Sequence, residues 1–155
     1  MLKLAVIGKD VSKSLSPQMH RFILRRMGYE CEYDKISLTE AKFEARAKEL
    51  FARYNGMNVT IPYKQRILPF LKRLAGDAKT FGAVNTVVTG TRTGYNTDGA
   101  GFLMMLEEAG FCVKGKRVLV LGAGGAGRSC IYALREAGAD VSAYERDGKR
   151  LSAVY

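Results

Sequence analysis

The sequence predicts an α/β fold with mostly parallel strands. Short apolar segments alternate with longer segments in which apolar residues recur every three or four positions, as they do along one face of a helix. Such alternation is typical of βαβ units, which place helices against a parallel sheet. A second observation agrees: the apolar segment 118–121 leads into a glycine-rich turn, Gly122 to Gly127, and then into a helical pattern. This is how the first unit of a dinucleotide-binding fold begins.

The first three predicted strands lie in the first half of the chain, at residues 4–7, 31–36 and 57–61. Between the first two, Ser16 is the expected N-cap of a helix, with Pro17 in its first turn. Gly28 ends this helix. Its apolar positions follow the helical period and are Met19, Phe22, Ile23 and Met27.

Two further helices are predicted before residue 76. Ser37 and Glu40 have the spacing of a capping box at the start of one of them. Its apolar face comprises Phe43, Ala47, Leu50, Phe51 and Tyr54. Pro62 is expected to open the other, which extends to Gly76. Its apolar positions are Ile67, Phe70, Leu71 and Leu74.

The second half of the chain begins with a predicted hairpin, formed by residues 84–88 and 89–95. Asn96 or Asp98 is expected to cap the following helix, which Gly110 ends. Strands follow at residues 118–121 and 140–144. We place the domain boundary after the hairpin, which gives domains of residues 1–99 and 100–155.

Composition excludes several classes of protein. Hydrophobic residues make up 47% of the chain and charged residues 26%, as in an ordinary folded domain. No apolar segment is long enough to cross a membrane, and the N-terminus does not have the pattern of a secretory signal. The net charge of +10 favours anionic partners. Because the basic residues are dispersed and not interleaved with aromatic ones, we expect a small anion and not a nucleic acid.

The cysteines point to a reducing compartment. Cys31, Cys112 and Cys130 are scattered and lack the spacing of metal ligands. We therefore expect free thiols in a cytoplasmic protein without a bound metal.

Three polar motifs follow predicted strands, where α/β proteins place their ligands. Ser14 and Ser16 lie in the first, Ser12-Lys13-Ser14-Leu15-Ser16-Pro17. N-capping accounts for Ser16 but leaves Ser14 unexplained, and serine hydroxyls at a helix N-terminus can hold a carboxylate. The second motif is Asn58-Val59-Thr60-Ile61-Pro62-Tyr63-Lys64, and the third joins Gly82-Ala83-Val84-Asn85-Thr86 through the hairpin to Asn96-Thr97-Asp98-Gly99.

Each motif also has a simpler interpretation. A lysine in the first turn of a helix is electrostatically unfavourable, which makes Lys64 a candidate functional ammonium, but a solvated surface lysine is the commoner case. Asn, Asp and Gly in the third motif favour turns for local reasons. His20 lies on a helix near apolar positions, so we interpret it as a packing or hydrogen-bonding residue.

Taken together, the motifs resemble the shikimate dehydrogenase family, including its quinate/shikimate branch. The order Ser-x-Ser-Pro-x-x-His, Asn-Val-Thr-Ile-Pro-Tyr-Lys, Gly-Ala-Val-Asn-Thr, Asn-Thr-Asp-Gly and Gly-Ala-Gly-Gly-Ala-Gly runs through almost the whole chain. The resemblance implies an N-terminal α/β substrate-binding domain, then a Rossmann-type domain, with the active site in the cleft between them. It also implies reversible reduction of 3-dehydroshikimate to shikimate with a nicotinamide cofactor, in aromatic amino-acid biosynthesis.

The resemblance assigns a role to each matching residue. Ser14 and Ser16 would hold the substrate carboxylate, and Lys64, paired with Asp98, would be the catalytic acid/base. The residues that would bond the ring hydroxyls are Thr60, Asn85 and Asp98. The residues of the glycine turn that would hold the cofactor are Gly122, Ala123, Gly124, Gly125, Ala126 and Gly127.

The sequence carries opposing signals on the cofactor preference. Family members usually carry Asn-Arg-Thr after the second Rossmann strand, where the arginine binds the 2′-phosphate of NADP, whereas this chain has Glu145-Arg146-Asp147. Arg146, with Lys149 and Arg150, favours NADP. Glu145 stands where an acidic residue can bond the ribose 2′-OH of NAD and repel a 2′-phosphate. We expect NADP, with NAD as the alternative.

Alternatives to an NADP-dependent shikimate dehydrogenase remain open. One is an NAD-using quinate/shikimate dehydrogenase. The other is a non-catalytic substrate-binding fragment, because the sequence after the glycine turn has room for few further Rossmann strands. On that ground we expect the isolated chain to have little dehydrogenase activity, with a cofactor half that is poorly ordered or covered by self-association.

Overall fold

The computed structural model describes residues 1–152, except for the side chain of Arg150. The contacts divide the chain into two compact units, one of residues 1–75 and 82–95 and the other of residues 76–81 and 96–155. Residues 96–99 therefore make their contacts with the second unit. The boundary between residues 99 and 100 stays a prediction.

The first unit contains a six-stranded mixed sheet with the strand order β2-β1-β3-β5-β6-β4. The strands are β1 Leu2–Gly8, β2 Cys31–Ser37, β3 Gly56–Val59, β4 Arg73–Leu74, β5 Thr86–Val88 and β6 Thr93–Tyr95. The central strand β1 pairs in parallel with both β2 and β3, and β4 pairs in parallel with β6. The hairpin of β5 and β6 supplies the antiparallel pairs. The predicted α/β class with a mostly parallel sheet is confirmed.

The helices of this unit are α1 Ser16–Arg26 and α2 Glu40–Arg53. All five apolar residues predicted to form the inner face of α2 are buried. The predicted capping box is wrong, because the N-cap of α2 is Thr39. Ser37 instead ends β2, and its Oγ accepts a hydrogen bond from the N–H of Val11 at 3.1 Å. The hydroxyl of Ser37 thus holds the loop that follows β1.

Helix α1 forms where it was predicted, and Gly28 follows it with a positive φ of 81°. The residue in the N-cap position is Leu15, so the prediction that Ser16 caps the helix is wrong. The Oγ of Ser14 accepts the N–H of Ser16 at 3.2 Å and so takes over the capping bond. The apolar residues Met19, Phe22, Ile23 and Met27 are exposed.

The helix predicted from Pro62 to Gly76 does not form. Residues 61–67 make a series of turns, followed by a short 3₁₀ helix, Leu68–Phe70, and by β4. Pro69 explains the difference, since its missing N–H and its ring are incompatible with the interior of an α-helix. Ile67 is nevertheless fully buried, so the apolar positions pack without helical backbone.

The second unit contains a two-stranded parallel sheet, β7 Arg117–Leu121 and β8 Asp140–Tyr144. The helices are α3 Ala78–Phe81, α4 Asp98–Glu108, α5 Gly125–Glu136 and α6 Gly148–Ser152. Ala123, Ile131, Leu134 and Val141 form the core, against which side chains of α4 and β7 pack. The order β7-α5-β8 is the βαβ unit that the glycine-rich turn predicted. None of the helices described is both long and apolar enough to cross a membrane.

Gly99 allows α4 to approach α5 closely. A Cβ atom at this position would lie 3.0 Å from the Cβ of Ala133 and 3.1 Å from both the Phe81 ring and the carbonyl oxygen of Ser129. These distances are shorter than ordinary van der Waals contacts, and two of the three atoms cannot rotate away.

We therefore predict that Gly99→Ala lowers the free energy of unfolding of the second unit by about 1–3 kcal/mol, the usual range for overpacking. Gly101→Ala is the matched control, because this position lies in the same helix and a methyl group there would meet no atom within 4 Å. Its helix propensity should raise stability by about 0.5–1 kcal/mol. Urea denaturation of both variants checks this, and equal effects would contradict the packing argument.

Candidate functional site

The first polar cluster lies at the carboxyl edge of the parallel strands. The register pairs Gly8 at the end of β1 with Ser37 at the end of β2, and Ile7 with Val59 at the end of β3. Residues that follow these strands are therefore neighbours. The N–H of Thr60 donates to the carbonyl of Ile7 at 2.9 Å, which holds the beginning of the 60–67 turns against β1.

Ser14, in the loop that follows β1, and Ser16, the first residue of α1, face each other. Their Oγ atoms are 3.1 Å apart, with Ser14 donating to Ser16, and both residues are half-buried. The Nδ1 atom of His20 lies 2.9 Å from the carbonyl oxygen of Ser16. The His20 ring also packs on Tyr33 with a centroid distance of 5.0 Å. The structure thus brings the two predicted carboxylate-binding serines together.

Lys64 lies in the 61–67 turns and not in the first turn of a helix as predicted. The argument that a helix dipole disfavours its charge therefore does not apply. The carbonyl oxygen of Lys64 accepts the N–H of Val84 at 2.8 Å, which places its backbone beside the segment that carries Asn85. Lys64 is half-buried.

Two neighbours of Lys64 fasten its turn to the body of the unit. The Tyr63 ring is fully buried and stacks on Phe43 at 4.1 Å, and its hydroxyl donates to the carbonyl of Leu38 at 2.6 Å. Burial raises the pKa of Tyr63 above its usual value. Arg66 pairs with two carboxylates of α2, at 3.4 Å from Glu40 and 3.1 Å from Glu44. Side-chain packing therefore helps to position Lys64 in a segment that does not form a regular helix.

Asn85 lies between the ends of β3 and β6. Its carbonyl accepts the N–H of Val59 at 2.8 Å, and its own N–H donates to the carbonyl of Tyr95 at 3.0 Å. The side-chain Oδ1 accepts the hydroxyl of Thr86 at 2.9 Å. Thr60, Lys64 and Asn85 consequently lie at the same edge of one sheet.

Tyr33 and Asn58 belong to this cluster, although sequence reasoning did not single them out as site residues. The Tyr33 hydroxyl donates to Oδ1 of Asn58. Tyr33 on β2 pairs with Leu4 of β1, and Asn58 on β3 pairs with Val6 of β1, so β1 lies between the two residues. Burial raises the pKa of Tyr33 to about 12, with a hydrogen bond from Ser16 acting in the opposite direction. The sequence does show a tyrosine in a predicted strand, and a buried tyrosine hydroxyl requires a hydrogen-bond partner. Identifying Asn58 as that partner requires the register in which β2 and β3 pair with β1.

Asp98 belongs to the second unit, where it is the first residue of α4. Its N–H donates to Oδ1 of Asn96 at 3.0 Å, but the N-cap of α4 is Thr97, so the prediction that Asn96 or Asp98 caps this helix is wrong. Asn96 is buried, and its Oδ1 lies 3.4 Å from the hydroxyl of the fully buried Ser129 on α5. The backbone at Asp98 is thereby fixed from within its own unit.

The glycine-rich turn has the geometry of a dinucleotide-binding turn. Gly122 has a φ of 102°, which favours glycine, and α5 begins at Gly125 with Gly124 as its N-cap. A Cβ at Gly127 would lie 2.0 Å from the carbonyl oxygen of Gly122, so this position tolerates no side chain. Among the described residues, the buried Nε of Arg128 in the first turn of α5 has no hydrogen-bond partner. A helix N-terminus with a guanidinium beside it suits an anionic group such as a pyrophosphate.

Glu145 lies against this turn. Its Oε2 accepts the N–H of Ala123 at 2.9 Å and its Oε1 accepts the N–H of Asp147 at 3.2 Å. Arg146 and Lys149 are exposed beyond the strand, while the side chain of Arg150 falls outside the described residues. Within residues 1–152, no three His, Cys, Asp or Glu side chains are grouped to hold a metal ion.

Comparison with known proteins agrees with this geometry. Residues 6–87 match the family model of the shikimate dehydrogenase substrate binding domain. The chain belongs to the shikimate dehydrogenase family. It is 43% identical over 156 residues to the shikimate dehydrogenase (NADP(+)) of Thermus thermophilus, covering 99% of this chain and 59% of that protein. The corresponding protein of Carboxydothermus hydrogenoformans is 45% identical over 139 residues, which cover 88% of this chain and 50% of the relative.

A solved structure supports the same family. The crystal structure of the Thermus thermophilus shikimate 5-dehydrogenase in complex with NADP(H) and shikimate matches with a TM-score of 0.89 and 42% identity. The match covers 99% of this chain and 59% of that one. The chain thus spans a little over half the length of the shikimate dehydrogenases that it matches.

The glycine turn of this family member yields a direct test. We predict that Gly127→Ala lowers the free energy of unfolding by more than about 3 kcal/mol, because its methyl group would overlap the backbone of Gly122. Gly124→Ala is the control, since nothing lies within 4 Å of a methyl group there, and it should change stability by less than about 0.5 kcal/mol. Thermal and urea unfolding measure both, and a stable Gly127→Ala variant would show that the turn has a different geometry.

Proposed function

We propose that this chain carries the substrate site of a shikimate dehydrogenase, which reversibly reduces 3-dehydroshikimate to shikimate with NADP(H) in aromatic amino-acid biosynthesis. The observation that supports this most directly is the cluster at the carboxyl edge of one sheet. Ser14 and Ser16 face each other there, and Thr60, Lys64 and Asn85 follow on adjoining segments. This cluster offers hydroxyls, an amide and an ammonium to a small polyhydroxylated carboxylate.

The proposed ligand contacts follow from this chemistry. Hydroxyl groups can rotate, so on binding the hydroxyls of Ser14 and Ser16 can each turn and donate a hydrogen bond to one carboxylate. Thr60, Asn85 and Asp98 would bond the ring hydroxyls. The positive net charge of +10 suits an anionic substrate.

Lys64 is the proposed acid/base. Reduction of the ketone adds hydride to the carbonyl carbon, and the carbonyl oxygen then gains a proton. NADPH supplies the hydride when it is bound. The Lys64 ammonium would stabilise the developing alkoxide and donate that proton, and in the reverse direction the amine would accept it. We assign Asp98 the role of the carboxylate partner in this proton transfer.

The proposed cofactor site is the turn of residues 122–127. Its glycines and the N-terminus of α5 suit a pyrophosphate. Arg146, Lys149 and Arg150 supply positive charge for the 2′-phosphate of NADP. Glu145 supports the alternative, an NAD-using quinate/shikimate dehydrogenase, because its carboxylate lies at the end of β8 against the turn.

The proposed setting is the cytoplasm, which is compatible with the free thiols of Cys31, Cys112 and Cys130. We propose a small-molecule partner and no nucleic acid, no membrane and no metal. Self-association through the second unit, low turnover by the isolated chain, and a purely substrate-binding role stay predictions. Turnover with NADPH and analytical ultracentrifugation check them.

The first test is a calorimetric titration of the 155-residue chain with shikimate, then with quinate, NADPH and NADH. We expect shikimate to bind more tightly than quinate and NADPH more tightly than NADH. Tighter binding of quinate and NADH would favour the alternative enzyme. A chain that binds neither shikimate nor quinate would contradict the proposed substrate site.

The second test concerns Lys64. If Lys64 transfers the proton, Lys64→Ala should lower turnover by about 10²–10⁴-fold, the usual contribution of a positioned acid/base. Shikimate affinity should fall far less. Lys48→Ala is the control, because Lys48 is an exposed lysine on α2 of the same unit. Turnover is measured with the 155-residue chain where its rate allows, and otherwise with the same substitutions in a longer family member. Near-normal turnover of Lys64→Ala would show that the role is wrong.

A further inference from the structure

We propose that Tyr33 is a positioning residue that holds the serine pair and the asparagines of the substrate cluster in one fixed arrangement. The inference rests on the proposed function, since it assigns a role within that site. Tyr33 itself need not touch the ligand. Its hydroxyl connects the loop after β1 to the ends of β3 and β5.

The first half of the connection runs from the serines to Asn58. The Ser14 hydroxyl donates to Ser16 at 3.1 Å. The Ser16 side chain is also a hydrogen-bond partner of Tyr33, and His20, whose Nδ1 lies 2.9 Å from the carbonyl oxygen of Ser16, packs its ring on Tyr33. The Tyr33 hydroxyl then donates to Oδ1 of Asn58. Ser14, Ser16, Tyr33 and Asn58 are therefore joined in one series of contacts.

The second half runs from Asn58 to Asn85. Nδ2 of Asn58 lies 3.4 Å from the carbonyl oxygen of Asn85 and 3.3 Å from Oγ1 of Thr86. A backbone carbonyl can only accept, so this contact fixes which end of the Asn58 amide is the nitrogen. The Thr86 hydroxyl then donates to Oδ1 of Asn85 at 2.9 Å. Because Nδ2 of Asn58 donates to Oγ1 of Thr86, the Thr86 hydroxyl is left to donate to Asn85. The orientation of the Asn58 amide thus determines the orientation of the Asn85 amide.

Tyr33 is well placed to impose this order. It is only 3% exposed, and the Nη2 atom of Arg21 donates to its carbonyl oxygen at 2.9 Å. The ring also packs against His20. A tyrosine hydroxyl is protonated at neutral pH, and burial raises the pKa of Tyr33 further, to about 12, so the hydroxyl is a donor to Asn58. A fixed donor at this point leaves Asn58 a single favourable orientation.

Tyr33→Phe removes only the hydroxyl. We expect shikimate affinity to fall about tenfold, because Ser16 and Asn58 each lose a partner and must be ordered by the ligand instead. The side-chain amide NMR signals of Asn58 and Asn85 should shift in the absence of ligand. If turnover is measurable, KM for shikimate should rise with little change in kcat, as expected for a group that orients binding residues.

Tyr54→Phe is the matched control. Tyr54 is a buried tyrosine of the same unit, and its hydroxyl donates to Oδ2 of Asp34 at 2.6 Å, outside the connected series. We expect it to lower stability at least as much as Tyr33→Phe while leaving shikimate affinity and both amide signals unchanged. This comparison separates positioning from a general loss of stability.

The proposal is overturned if Tyr33→Phe binds shikimate as the unchanged chain does, or if both variants lose affinity equally and in proportion to stability. Unshifted amide signals of Asn58 and Asn85 in Tyr33→Phe also overturn it, whether or not shikimate binds. A different outcome is that the unchanged chain binds no shikimate, while the amide signals shift in Tyr33→Phe and not in Tyr54→Phe. The proposed function then fails, but the positioning of the asparagines by Tyr33 is supported. The amide measurement thus distinguishes the two failures.

Discussion

The parallel pairing of β1 with both β2 and β3 is the constraint on which the substrate cluster depends. A parallel register places the carboxyl ends of neighbouring strands at one edge, so Gly8, Ser37 and Val59 end close to one another. The loop after β1 and the turns after β3 therefore both begin at this edge of the sheet. Ser37 strengthens this arrangement by bonding the backbone of Val11. Backbone pairing thus makes neighbours of polar residues that are distant in sequence, and side-chain contacts then hold them in place.

The segment that carries Lys64 shows how a site residue is positioned without regular secondary structure. Turns leave more backbone freedom than a helix, and here side chains on either side of Lys64 remove it. Tyr63 is anchored by ring stacking and a buried hydrogen bond, whereas Arg66 relies on partly exposed ion pairs with α2. Exposed pairs contribute little to stability, typically below about 1 kcal/mol. The buried tyrosine therefore contributes more of the restraint than the arginine.

Sequence patterns predicted the elements whose signal is local. The inner face of α2, the hairpin, and the turn from Gly122 to Gly127 needed only periodicity or glycine spacing. Two of the errors arose because Pro62 and Ser37 suggested helix starts. Pro69 and the hydrogen bond from the N–H of Val11 to Ser37 decided the outcome instead. Of the proposed site, the serines, Thr60, Lys64 and Asn85 could be named from motifs. Tyr33 could not be named, because its contact with Asn58 depends on how β2 and β3 each pair with β1, and the pattern within one segment does not show that pairing.

In the second unit, the Glu145 carboxylate competes with any bound anion for the backbone donors of the glycine turn. Its carboxylate already accepts the N–H of Ala123, one of the backbone donors of the glycine turn. An anion at the turn must therefore use the donors nearer the N-terminus of α5, where Arg128 adds positive charge. The same carboxylate is tied to the backbone of Asp147, so it cannot easily turn away from a 2′-phosphate. Glu145 and the exposed side chains of Arg146 and Lys149 thus bring opposite charges to the end of β8. In the proposed cofactor site the carboxylate would oppose a 2′-phosphate, and the two basic side chains would favour it.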